Sequence, residues 1–197
     1  EGLKMSLIER VKKILLQPKQ EWEVISGETI ATSDLYQNYI IPLAAIGPVA
    51  SIIGLSIVGI GMFSGSTFRV PFVTATLSAV VNYILNLAGV YVLALVIDFL
   101  APTFSGEKNP AQALKVAAYS STAAWIAAIF VIMPALGILG ILGLYSLYLL
   151  YLGIPVLMKA PQEKSLAYTV AVAVAAIIIF AVIGAFARIF IPHPMGM

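Results

Sequence analysis

The sequence predicts an all-α polytopic membrane protein, with five transmembrane helices behind an N-terminal amphipathic interfacial helix. Three observations carry that prediction. Of 197 residues, 61% are hydrophobic and 10% charged, where an ordinary soluble domain carries about a quarter charged residues. Mean hydropathy is +1.02. Four long stretches, 35–68, 70–97, 116–158 and 165–187, contain no Asp, Glu, Lys or Arg. A globule of this size could not hide so much apolar surface from water.

The first element is the amphipathic helix. Met5-Ser6-Leu7-Ile8 reads as a natural start, so Glu1–Lys4 are expected to be an extension without function. No signal peptide is expected, because the first long apolar run begins at residue 35 and has no small-residue cleavage site at the usual distance. Over residues 5–17, at about 100° per residue, Leu7, Ile8, Val11, Ile14 and Leu15 fall on one arc. Glu9, Arg10, Lys13 and Gln17 fall on the other, Lys12 sits at the border, and Pro18 ends the helix. A basic amphipathic segment ahead of a span suits the headgroup plane. Arg10, Lys12 and Lys13 are therefore candidate lipid-surface residues, and Trp22 is a candidate interfacial anchor. The alternative is that the stripe packs on the protein itself.

The spans follow. Crossing the hydrocarbon as a helix takes about 20 residues. The stretch 116–158 is long enough for two crossings, and Met133-Pro134-Ala135-Leu136-Gly137 supplies a turn near its middle. Helices are predicted at 36–61, 72–100, 111–133, 137–158 and 165–190. The domain division expected is 1–34 for the N-terminal segment and 35–191 for the five-helix membrane domain. Nine basic residues then fall on the N-terminal side of the membrane and two, Arg69 and Arg188, on the other. By the positive-inside rule the N-terminus is cytoplasmic and the C-terminus outside.

Chemistry inside these spans is sparse. There is no cysteine, which excludes disulfides, thiolate metal sites and cysteine nucleophiles. The single histidine, His193, stands between two prolines near the end of the chain. No phosphate-binding glycine loop, nucleophile elbow or zinc-protease motif occurs. Catalytic, cofactor and metal sites are accordingly expected to be absent. The basic clusters lie beside a membrane, so lipid headgroups rather than nucleic acid are the expected partners.

Polar residues within the spans are the remaining candidates. Asn82 and Asn86 lie four apart on one face of the second span. They either line a solute path or bond between helices. Asp98 is the one carboxylate within a predicted span. It reads as a proton or cation site, or as a salt bridge to Lys108 or Lys115. Tyr119, Ser120, Ser121 and Thr122 form a hydroxyl cluster on the third span. Small residues such as Gly47, Gly54 and Ala124 suit close helix packing. Tyr145, Tyr148 and Tyr151 make an aromatic stripe, and Pro42, Pro48 and Pro155 should bend their helices.

The linear order also carries a resemblance. MSLIERVKKILLQPKQEWEVI at 5–25 leads into LYQNYIIPL at 35–43, followed by ALKVAAYS at 113–120. GLYSLYLLYLGIPVLMKAPQEKSLAYTV at 143–170 is the most specific segment, and Pro18 to Trp22 supplies a short PxxxW. Together these resemble the prokaryotic branch of the Yip family, the Ypt-interacting five-span membrane proteins. The resemblance implies five helices, a cytoplasmic N-terminus, oligomers in the bilayer and a prokaryotic plasma (inner) membrane location. It transfers no catalytic residue. Two functions are expected: a non-enzymatic membrane-organising or partner-binding scaffold that forms homo-oligomers, or a small channel or transporter. The second would use Asn82, Asn86, Asp98 and the Tyr119–Thr122 hydroxyls.

Overall fold

The structure, a computed structural model, describes residues 6–61 and 67–190. His193, Glu1–Met5 and the side chain of Arg188 lie outside the described residues. Among the described residues five helices are long and apolar enough to span a membrane. They are Thr32–Val58, Phe72–Phe104, Pro110–Ile132, Leu136–Leu157 and Gln162–Ala185. Chain lengths between the spans match the sequence prediction to within a few residues.

Local geometry follows the prolines and glycines. The first span loses regular hydrogen bonding around Pro42 and widens into π-helical turns at Tyr36–Ile40 and Ile53–Val58. The fourth span opens as a 3-10 helix over Pro134–Leu144, then continues as α-helix from Tyr145 to Leu157. Gly137, Gly140 and Gly143 recur at threes, the repeat of a 3-10 turn, and so share one edge of it. The second span is 33 residues long. At a rise of about 1.5 Å that is about 50 Å, well beyond the roughly 30 Å of hydrocarbon. The second span therefore projects past the hydrocarbon.

Helix α1 (Leu7–Leu16) and helix α2 (Pro18–Gly27) form a hairpin packed on the bundle. Ser6 caps α1 by accepting from the Glu9 N–H at 3.2 Å, and Pro18 opens α2 where its missing donor costs nothing. The apolar stripe is not laid in the headgroups. Ile14 is fully buried, and Leu7, Val11 and Leu15 pack on the core of the bundle. The headgroup prediction is thus corrected: the stripe meets a protein surface instead, with α1 against the third span and Leu15 bonded to Tyr145 of the fourth. Ile8 and Leu16 stay outside, 68% and 78% exposed.

The small-residue packing is closest where the first span crosses the end of the third. A Cβ built on Gly54 would lie 2.2 Å from the Val131 carbonyl oxygen. Backbone cannot yield as a side-chain tip does, so Gly54→Ala should lower stability by about 1–3 kcal/mol. Thermal unfolding in detergent measures it, and a variant as stable as the parent would refute this contact.

Candidate functional site

Beneath the hairpin lies a buried charged cluster. Arg10 is 8% exposed and Glu21 4%. The Arg10 guanidinium donates to Glu21 Oε1 at 2.5 Å and, through its other nitrogen, to Glu28 Oε1. Burial opposes its charge, but the Glu28 hydrogen bond and the neighbouring Tyr119, Glu28 and Glu21 hold its pKa above the ordinary value. Lys115 enters from the third span and is equally buried. Its ammonium donates to the Ile25 carbonyl at 3.0 Å and to that of Glu28, satisfying acceptors at the C-terminal end of α2. Arg10 thus meets two carboxylates and Lys115 two carbonyls, the pairing under which buried charge is tolerated.

Aromatic and hydroxyl groups continue the cluster into the bundle. The Arg10 guanidinium sits 5.8 Å from the centre of the Tyr119 ring. Tyr119 packs at 4.6 Å from the Tyr39 ring and edge-on to Trp22 at 6.2 Å. Tyr39 and Thr122 share a hydroxyl hydrogen bond of 2.7 Å. Trp22 is fully buried and covers Gly153 on the fourth span, where a Cβ would approach the indole to 2.6 Å. Tyr145 donates to the Leu15 carbonyl at 3.0 Å, and Gln112 to that of Ser26 at 3.0 Å. Tyr39→Phe should cost about 1 kcal/mol, read as a lower melting temperature with the backbone spectrum unchanged.

Deeper in the bundle is a cavity of about 650 Å³ bounded by residues of all five spans. Its walls are mostly carbon, interrupted by Ser51, Ser78, Asn82, Asn86, Ser120, Ser121 and Ser146. Ser78, Asn82 and Asn86 stand four apart and make one polar stripe. The Asn82 amide nitrogen donates to the Ser78 carbonyl at 2.8 Å. Trp125 Nε1 donates to the Asn86 side-chain oxygen at 3.3 Å.

The candidate residues therefore divide. Asn82, Asn86, Ser120 and Ser121 share the cavity wall, whereas Tyr119 and Thr122 point to the other side of the third span, toward Tyr39. Asp98 lies away from the cavity, and its Oδ1 is buried without a partner among the described residues. The expected salt bridge does not form, because Lys115 is committed to α2 and the Lys108 ammonium lies 5.9 Å from the Phe99 ring. Of the lipid-surface candidates, Lys12 is exposed and Lys13 pairs with Glu9 at 3.4 Å on the surface. Arg10 and Trp22 are not at the lipid surface, a correction forced by the ion pairs and by the fit of the indole on Gly153. Glu21, Glu28, Tyr39 and Gly153 were not legible as site residues. Glu21 and Glu28, seven apart and so nearly on one helix face, were the available signal. No group of three or more His, Asp or Glu among the described residues could hold a metal ion.

Five apolar helices around one cavity, closed at one end by a docked charged hairpin, define a polytopic membrane protein rather than a membrane-anchored soluble domain. The Yip1 domain profile matches residues 12–184, from the second half of α1 to the fifth span, and the chain belongs to that family. Two curated relatives, each called Inner membrane protein YohC, come from Escherichia coli strains K12 and O6:H1. Each is 26% identical to this chain over 156 residues, covering 77% of this chain and 80% of the relative. No solved structure matches.

Proposed function

We propose that this protein is a non-enzymatic scaffold of an inner membrane, N-terminus in the cytoplasm and C-terminus outside. Its hairpin would be a rigid basic platform for anionic lipid and partner proteins, and it would oligomerise through helix faces in the bilayer. The observation that carries the reading is the hairpin's outward face. With Arg10, Glu21 and Lys115 spent inside, that face still presents Ile8, Lys12, Leu16 and Lys19 to the surroundings. The basic-residue asymmetry and the inner-membrane names of the relatives support the placement.

The test is capture of anionic vesicles by full-length protein held in neutral nanodiscs. A lysine near an anionic surface contributes about 1 kcal/mol, so Lys12→Gln with Lys19→Gln should weaken capture roughly thirtyfold. Capture unaffected by both substitutions would sink the platform. One observation favours a second reading, a path for a small solute: Asn82, Asn86, Ser120 and Ser121 share a cavity. Solute flux in proteoliposomes that Asn82→Leu abolishes would establish it.

A further inference from the structure

We infer that the cavity is a binding site for an uncharged single-chain amphiphile drawn from the bilayer, an acyl chain carrying a small head with hydroxyl and carbonyl groups. A space of about 650 Å³ would hold on the order of twenty waters at ~30 Å³ each. Water is held only where polar partners are dense, and these walls are mainly Ala, Val, Leu, Ile and Phe. Volume and lining together fall in the range of sites that take one small organic guest. No Asp, Glu, Lys, Arg or His lines the space among the described residues, so nothing there would balance a charged head.

Access comes from the side. The fifth span packs on the second span and on the second half of the fourth, while the 3-10 half of the fourth turns toward the third. Leu147 and Phe180, from the fourth and fifth spans, both line the cavity and are 44% and 43% exposed on the outside of the bundle, the surface that lipid would cover. Toward the hairpin the way is closed by the Tyr39–Thr122 bond and the Tyr119 and Trp22 rings. An apolar guest that enters from the side meets walls that are mostly carbon.

The polar stripe reads the head. Asn82 uses its nitrogen and Asn86 its oxygen in the bonds to Ser78 and Trp125. Among the described residues the Asn82 oxygen and the Asn86 nitrogen have no other partner, which offers one acceptor and one donor to a guest. A hydroxyl beside an ester carbonyl supplies the complement.

Trp125 reports on the site, because it lines the cavity and the only other tryptophan, Trp22, is sealed under the hairpin. A monoacylglycerol brominated on its chain is titrated into proteoliposomes of the full chain. Expected is saturable quenching, reversed by unbrominated monoacylglycerol and absent in Trp125→Phe. Ala176→Phe, which fills the cavity, should raise half-saturation roughly tenfold, about 1.4 kcal/mol. Asn82→Leu, at an exposed wall position, should raise it about fivefold through the lost hydrogen bond. Equal quenching by a brominated two-chain phosphatidylcholine, or quenching that never saturates and ignores both variants, would mean ordinary lipid contact and overturn the site. Quenching of Trp125 by aqueous iodide would overturn it in favour of a hydrated path.

Discussion

Arg10→Ala should destabilise the protein by about 3–5 kcal/mol, the cost of leaving a buried charge without its partner. Glu21, 4% exposed, would lose its Arg10 hydrogen bond, and Glu28 would lose its own. The readout is twofold: a fall in melting temperature in detergent, and tryptic cleavage at Lys12 and Lys19 as the hairpin lifts. Arg10→Met combined with Glu21→Leu removes both buried charges at similar volume and should recover much of the loss, since the carboxylate that stays, Glu28, is 27% exposed and can be hydrated. Arg10→Ala as stable and as protease-resistant as the parent would show that the cluster holds nothing.

Trp22→Ala should cost about 3–5 kcal/mol, the usual penalty for emptying a large buried aromatic site. Gly153→Ala attacks the same contact from the other side, since its Cβ would lie 2.6 Å from the indole. Overpacking of that kind costs about 1–3 kcal/mol. The two changes share one contact, so they should not add: with the indole gone, the extra methyl has room. A double variant that loses the full sum would mean that Gly153 is required for something other than Trp22.

The membrane spans were legible because hydropathy over twenty residues is a composition signal that packing cannot override. The starts at Phe72 and Pro110 lie within a residue of the predicted 72 and 111, whereas the first span stops at Val58 rather than 61, where Gly59 takes a positive φ that the hydropathy signal does not mark. The hairpin was legible only by half. Periodicity located the apolar stripe of α1 and named its members, but a stripe carries no address, and lipid and protein are equally apolar. What decided for protein was the surface that Tyr119 of the third span and Gly153 of the fourth present to the hairpin, far along the chain. Arg10 stood on the polar arc of α1, and nothing within residues 5–17 marks it as different from Lys13. The difference is its distant partners, Glu21 and Glu28 in the next helix and Tyr119 a hundred residues on. Asn82 and Asn86 were legible as a shared face because four-residue spacing is a property of one helix. That Ser120 and Ser121 join them while Thr122 turns away depends on how the third span is rotated, which the local sequence does not encode.

The hairpin also imposes an order on biosynthesis. Leu15 and Tyr145 are 130 residues apart in the chain, yet they are joined by a hydrogen bond. At usual synthesis rates that separation is on the order of ten seconds. Throughout that interval Trp22 has no Gly153 to cover, and for most of it Arg10 has no Tyr119 beneath it. The N-terminal segment emerges first and is finished nearly last. While the first three spans are being made, the segment has none of its fourth-span partners. It can close fully only when the fourth span arrives, bringing Tyr145 to Leu15 and Gly153 to Trp22. The clasp at the start of the chain is thus completed by a span made near its end, and the fourth span is the event that closes it.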